Sequence, residues 1–148
     1  GLCQDLAKDL VRDGEGVTKL IELKISGADS PQMAQKIGKS IINSPLIKTA
    51  VHGADPNWGR FVMAVGNVFE HPVRLEELEI RFGLGEKMQA VNSQLLKEKT
   101  VKLESISELL QKDTIPIEVV VGHGDHSETF WGCDLSKGYI DENAFYTT

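Results

Sequence analysis

Residues 52–60 read HGADPNWGR, which sets a histidine, an aspartate, an asparagine and an arginine within nine positions. At the start of a helix such a cluster could receive a substrate carboxylate. Unpaired backbone N–H groups and the helix dipole favour an anion there, and Asn57 and Arg60 would stand alongside. A plainer account covers part of the stretch. Asp55 would cap a helix whose first residue is Pro56, Gly53 would let the chain turn, and Gly59 would let another backbone come close. That account leaves Asn57, Trp58 and Arg60 without a reason. Upstream, Glu15 stands between Gly14 and Gly16. A carboxylate in a glycine-flanked corner can be presented into a cleft to hold a ligand ammonium, although a solvated turn glutamate has the same sequence. The stretch GHGDHSE brings His123, Asp125 and His126 together. Two histidines and an aspartate on one tight turn seldom face a common point, so no metal site is expected from them. The chain ends in Asn143, Phe145, Tyr146, Thr147 and Thr148, a polar tail with two aromatic anchors. No residue sits in a G-x-S-x-G elbow and no glycine loop is built to cradle phosphate. The residues by themselves therefore supply pieces of a polar site and no evident nucleophile.

The elements that must position these residues are partly legible. Leu2, Cys3, Leu6, Ala7, Leu10 and Val11 fall on one face at helical spacing, and Gly14 and Gly16 end that helix. VTKLIELKIS alternates Val17, Ile21, Leu23 and Ile25 as a half-buried strand would. Ser30 and Pro31 open a helix carrying Met33, Ile37 and Ile41, which the NSP of residues 43–45 closes. LIKTAVHG is a candidate short strand, and FVMAVGNVF a largely apolar helix. LEIRFG and KMQAV suggest a hairpin, and SISELLQK a short amphipathic helix. TIPIEVVVGHGDHSETFWGCDLS suggests two long strands about a tight turn at residues 122–125, with Pro116 at a sheet edge or strand start. Helices and strands mixed in this way imply an α+β fold, a mixed α/β sandwich, rather than a doubly wound parallel sheet.

Bulk properties narrow the classes. A chain of 148 residues, 41% hydrophobic and 26% charged, is an ordinary globular protein, and residues 1–148 read as a single domain. A net charge of -6 argues against a nucleic-acid partner, since no basic stripe is present to meet phosphates. No apolar run is long enough to cross a bilayer and no signal-peptide pattern opens the chain, so no membrane partner is expected. Two cysteines, Cys3 and Cys133, make no disulfide framework, and a cytoplasmic location is the default. The chain begins at Gly1, directly in a helical pattern without an N-cap, as if partway into a larger polypeptide.

Three stretches, taken together and in order, carry more than any one of them. LAKDLVRDGEGVTK, INSPLIKTAVHGADPNWGR and WGCDLSKGYIDENAFYTT closely resemble the C-terminal part of the ornithine acetyltransferase family, the bifunctional glutamate N-acetyltransferases of arginine biosynthesis. The resemblance covers essentially all 148 residues. It departs from the family's pattern at His123, where arginine is common, and at His126, where a small residue is common. Members are made as a precursor that cuts itself before an internal threonine, giving an α and a β chain. The new N-terminal threonine is the nucleophile, its hydroxyl activated by the free amine beside it. An α-chain Thr-Gly pair stabilises the oxyanion.

The resemblance thus implies an N-terminal-nucleophile-like acetyltransferase of which this chain is the C-terminal part of the β chain, with an incomplete active site. It implies that Glu15, Asn143 and Thr148 contact the amino-acid substrate, and that Asn57 and Arg60 serve as structural residues near the site. No catalytic residue and no metal ligand is expected in this chain. The implied reaction moves acetyl from N-acetylornithine to glutamate. No cofactor is implied, and acetyl-CoA serves some members as a second acetyl donor. The implied partners are the α chain and the remainder of the β chain in an α2β2 heterotetramer. The cleavage segment and its threonine are absent from this sequence, so the chain alone is expected to be inactive. Two other readings fit the residues: a stand-alone amino-acid-binding domain without catalysis, and an amidase or aminopeptidase of similar self-processed architecture.

Overall fold

A computed structural model of the protein describes residues 19–134. The expected first helix, Glu15, Asn143 and Thr148 lie outside the described residues. A mixed five-stranded sheet forms the frame, in the order β3-β2-β4-β1-β5. Its strands are β1 (Leu20–Ala28), β2 (Glu79–Phe82), β3 (Gln89–Asn92), β4 (Thr114–Val120) and β5 (His126–Cys133). Only β1 and β4 pair in parallel; β1–β5, β2–β4 and β2–β3 are antiparallel. This is the α+β arrangement that the mixed pattern implied.

Alternation decides which face of the sheet is covered. Ile21, Leu23 and Ile25 of β1 are buried, as are Ile115, Ile117 and Val119 of β4 and Ile80 and Phe82 of β2. Residues at odd and even positions point to opposite faces of a strand, so these side chains line one face. Against that face lie Ile37 and Ile41 of α1 (Pro31–Ile42), Phe61 of α3 (Trp58–Gly66), and Ile106 and Leu110 of α4 (Leu103–Leu110). Phe61 meets Phe82 edge to face, with ring centroids 5.8 Å apart. Gly38 of α1 lies so close to the sheet that a Cβ there would fall 2.0 Å from the Phe130 ring. The opposite face carries Lys24, Arg81 and Glu118 in one row across β1, β2 and β4.

Local chemistry sets the helix starts. Ser30 caps α1, its Oγ accepting from the Met33 N–H at 3.1 Å with Pro31 in the first turn. Ser44 and Pro45 repeat the device for α2 (Pro45–His52), Ser44 Oγ accepting from the Ile47 N–H at 3.3 Å. LIKTAVHG is therefore a helix and not the expected strand. Ile47, Ala50 and Val51 share its buried face at helical spacing, and the cap overrides the β-branched composition. The hairpin of β2 and β3 and the helix over SISELL form as expected.

The late strands depart from expectation in one respect. β4 and β5 follow each other about the turn at residues 122–125, yet β1 lies between them. The turn crosses the end of β1, where the Gly124 N–H donates to Gly27 O at 2.9 Å. A Cβ on Gly124 would meet Ala28 O at 2.0 Å, and Gly27, at φ +74, faces the Gly122 carbonyl just as closely. Only glycines let the two backbones cross so near. Pro116 stands in a central strand and not at an edge. Its carbonyl accepts from the Gly83 N–H at 2.9 Å on the β2 side, and β2 ends at Phe82. The missing proline N–H therefore points past the end of its neighbour, where no ladder bond is required.

Candidate functional site

The site is best built from Asp134, the residue that closes β5. Asp134 is 0% exposed, the one charged side chain buried to that degree among the described residues. A carboxylate out of water must be met by donors, or its burial costs about several kcal/mol. Donors arrive from two distant segments. The Lys19 backbone N–H donates to Oδ1 at 2.9 Å, and His52 Nδ1 lies 2.8 Å from Oδ2. The Asp134 N–H in turn donates to Lys19 O at 3.2 Å, so the start of β1 and the end of β5 are tied in both directions.

Lys19 completes the cluster from the other side. Its Nζ donates to Val51 O at 2.8 Å and to His52 O at 3.0 Å, the last carbonyls of α2. Val51 O also accepts from the Ala54 N–H at 3.1 Å, and the helix dipole favours a cation at this end. Burial pulls the Lys19 ammonium below the ordinary lysine range, and the Asp134 charge offsets part of that shift. Three segments that are far apart in sequence thus converge: Lys19 ahead of β1, AVHG at the end of α2, and GCD at the end of β5. Each belongs to one of the three stretches singled out above. His52 is 37% exposed at the rim of this cluster.

The rest of HGADPNWGR anchors α2 to α3. Asn57, not Asp55, is the N-cap: its Oδ1 accepts from the Arg60 N–H at 3.2 Å. The Asn57 N–H turns back to Asp55 O at 2.9 Å across Pro56, which delays the helix until Trp58. The Asp55 carboxylate accepts from Asn57 Nδ2 at 3.3 Å. Trp58 packs against the core. Arg60 Nη1 donates to Leu46 O at 2.6 Å and to Thr49 Oγ1 at 3.2 Å, locking α3 onto α2. The glycine expectations are corrected. Gly53 has an ordinary φ of -81, and the left-handed residue in the turn is Ala54 at φ 53. A Cβ on Gly59 would meet only Asn57 Oδ1 at 3.5 Å, so no backbone comes close there.

The second polar group of the sequence stays dispersed. His123 is 89% exposed and its Nε2 lies 3.9 Å from Glu77 Oε1. Among the described residues no three of His, Cys, Asp and Glu are grouped to hold a metal ion, and no helix is long and apolar enough to cross a membrane. On the open sheet face Arg81 bonds Glu79 at 2.7 Å and Glu118 at 3.3 Å, and Ser26 Oγ donates to Glu118 at 2.7 Å. The hydrogen bond to Glu79 and the neighbouring carboxylates hold the Arg81 guanidinium firmly charged. Sequence reasoning missed the Asp134 cluster. Its one local signal was an aspartate closing the apolar run FWGC, which names no partner.

Known proteins align with the whole of this chain. The family model described as the ArgJ family matches residues 1–148. The chain is 41% identical over 151 residues to the arginine biosynthesis bifunctional protein ArgJ 2 of Clostridium acetobutylicum, covering 99% of this chain and 37% of that protein. It is 45% identical over 147 residues to the arginine biosynthesis bifunctional protein ArgJ of Rhodococcoides fascians, covering 99% and 36%. It thus spans little more than a third of the length of these relatives. The crystal structure of the corresponding protein from Bacillus halodurans superposes with a TM-score of 0.79 at 36% identity, covering 98% of this chain and 66% of that one. With the match extending over its full length, this chain belongs to the ArgJ family.

Proposed function

We propose that this chain is the C-terminal part of the β chain of a glutamate N-acetyltransferase that transfers acetyl from N-acetylornithine to glutamate in arginine biosynthesis. The relatives' names support arginine biosynthesis, and the Asp134 cluster carries the assignment of the site. Residues 19 and 134, the first and last described, are bonded to each other, which supports reading the two ends of the chain as parts of one site. Glu15 is four residues from Lys19, a reach of about 14 Å at most. In this reading the Glu15 carboxylate holds the substrate ammonium, and Asn143 and Thr148 close the pocket around it.

The chemistry is a double displacement. A threonine hydroxyl, supplied by polypeptide outside this sequence, attacks the acetyl carbonyl and passes its proton to the threonine's own amine. That proton passes on to the leaving nitrogen as the C–N bond breaks, ornithine departs as the free amine, and acetyl remains as a threonine ester. The glutamate amine then attacks that ester, and the threonine oxygen recovers its proton. The enzyme needs no cofactor, acetyl-CoA is a second acetyl donor at most, and the working particle is an α2β2 assembly in the cytoplasm.

The test begins with intact mass and N-terminal sequencing of the natural protein. A threonine upstream of Gly1 at a self-cleavage point, with acetyl transfer by the assembled protein, supports the reading; a natural start at Gly1 overturns it. In the assembled enzyme Glu15→Ala should lower kcat/KM for both amino acids by about 2 kcal/mol, the size of a lost carboxylate–ammonium contact. Unchanged kinetics would remove Glu15 from the site.

A further inference from the structure

We propose that the open face of the sheet is a docking surface whose occupant is polypeptide of the same enzyme lying outside this sequence. That occupant sets an aliphatic side chain on Leu84 and a carboxylate on Lys24. The proposal rests on the reading above that this chain is one part of a larger enzyme. It starts from the topology of the sheet. β1 and β4 pair in parallel near its centre, and helices cover one of their two faces. Parallel strands are ordinarily covered on both. On the opposite side lies a groove of about 370 Å³, lined by the β2–β3 connection, by Pro116 and by the row from Thr129 to Arg81.

One end of the groove is apolar. Gly83 at φ +84 and Gly85 at φ +65 frame Leu84, which is 75% exposed, and Met88 and Pro116 line the groove with it. Covering that leucine with another apolar side chain is favourable. The other end offers donors. Lys24 and Thr129 are register partners on β1 and β5, so their side chains stand together on this face. Neither side chain has a hydrogen-bonding or ion-pair partner among the described residues. Next in the row, Arg81 and Glu118 already bond each other, Glu79 and Ser26. A partner must therefore bring its own acceptor to Lys24, and a carboxylate is the acceptor that also matches its charge. Lys24 and Leu84 are two strand spacings apart across the sheet, about 10 Å, which side chains two turns apart on one helix span. The relatives contain polypeptide to supply such a segment. This chain matches 37% of the Clostridium protein and 66% of the superposed Bacillus chain, so each carries residues beyond those matched.

The test uses the assembled full-length enzyme and a carbodiimide, which joins a lysine directly to a carboxylate in contact with it. Peptide mass mapping should find Lys24 joined to a carboxylate outside residues 1–148. No cross-link at Lys24, or one only within residues 1–148 of the same or a second copy, would overturn the proposal. Leu84→Asp should cut the yield at Lys24 at least about fivefold, since a charge replaces a covered leucine. The Lys36–Glu70 ion pair on the helix layer should cross-link in that variant as in wild type. An unchanged yield at Lys24 in Leu84→Asp would count equally against the docking face. The readout does not depend on acetyl transfer. An enzyme that gives the Lys24 cross-link and transfers no acetyl brings down the function proposed above and leaves the docking face standing.

Discussion

Among the described residues are two histidine–carboxylate pairs, and they have little in common beyond their atoms. His52 and Asp134 lie 2.8 Å apart around a carboxylate with no exposure, held by main chain from a third segment. His123 and Glu77 lie 3.9 Å apart, with the histidine almost wholly in water. Exposed pairs gain little, because water screens the charges and the side chains lose entropy to meet. A buried carboxylate works the other way: every donor it meets is one it cannot do without. GHGDHSE sets His123, Asp125 and His126 close together in sequence, whereas Asp134 stands far from both Lys19 and His52. The fold spends its glycines on crossing β1 and leaves those histidines at the rim, while the lone Asp134 becomes the point where three segments meet.

The comparison can be broken by substitution. Asp134→Ala should be the most damaging, costing about 3 kcal/mol in denaturant unfolding of the 148-residue chain, because the Lys19 N–H and the His52 ring lose a buried acceptor. A cost below about 1 kcal/mol would mean that the cluster is held by its surroundings. Asn57→Ala removes the cap of α3 and should cost about 1 kcal/mol, with its effect on turnover confined to that loss of stability. A large fall in turnover with unchanged stability would move Asn57 from support to substrate contact. His123→Ala should leave stability within about 0.5 kcal/mol of wild type. A larger effect would show that the exposed pair matters as much as the buried one.

Much of the frame could be read without coordinates. Ser30 with Pro31 announced α1, the alternation in LIELKIS announced β1, and LEIRFG with KMQAV announced a hairpin. LIKTAVHG departs from the strand its sequence suggests because Ser44 and Pro45, which end one helix, also begin the next. Asp55 and Asn57 are both good cap residues, and only the backbone turn about Pro56 decides for Asn57. The cluster at Asp134 could not be read at all. Lys19 and Asp134 are 115 residues apart, and their bond depends on β5 adding to the free side of β1 and not to β4.

The division follows the range of the forces involved. Caps, turn glycines and hydrophobic period act over a few residues, and the three long stretches resemble those of the family to which this chain belongs. Strand order, the register that sets Leu20 against Cys133, and the sealing of Asp134 from water depend on packing across the whole sheet. A buried charge acquires its meaning only from the donors that folding carries to it, and those are chosen by the tertiary structure.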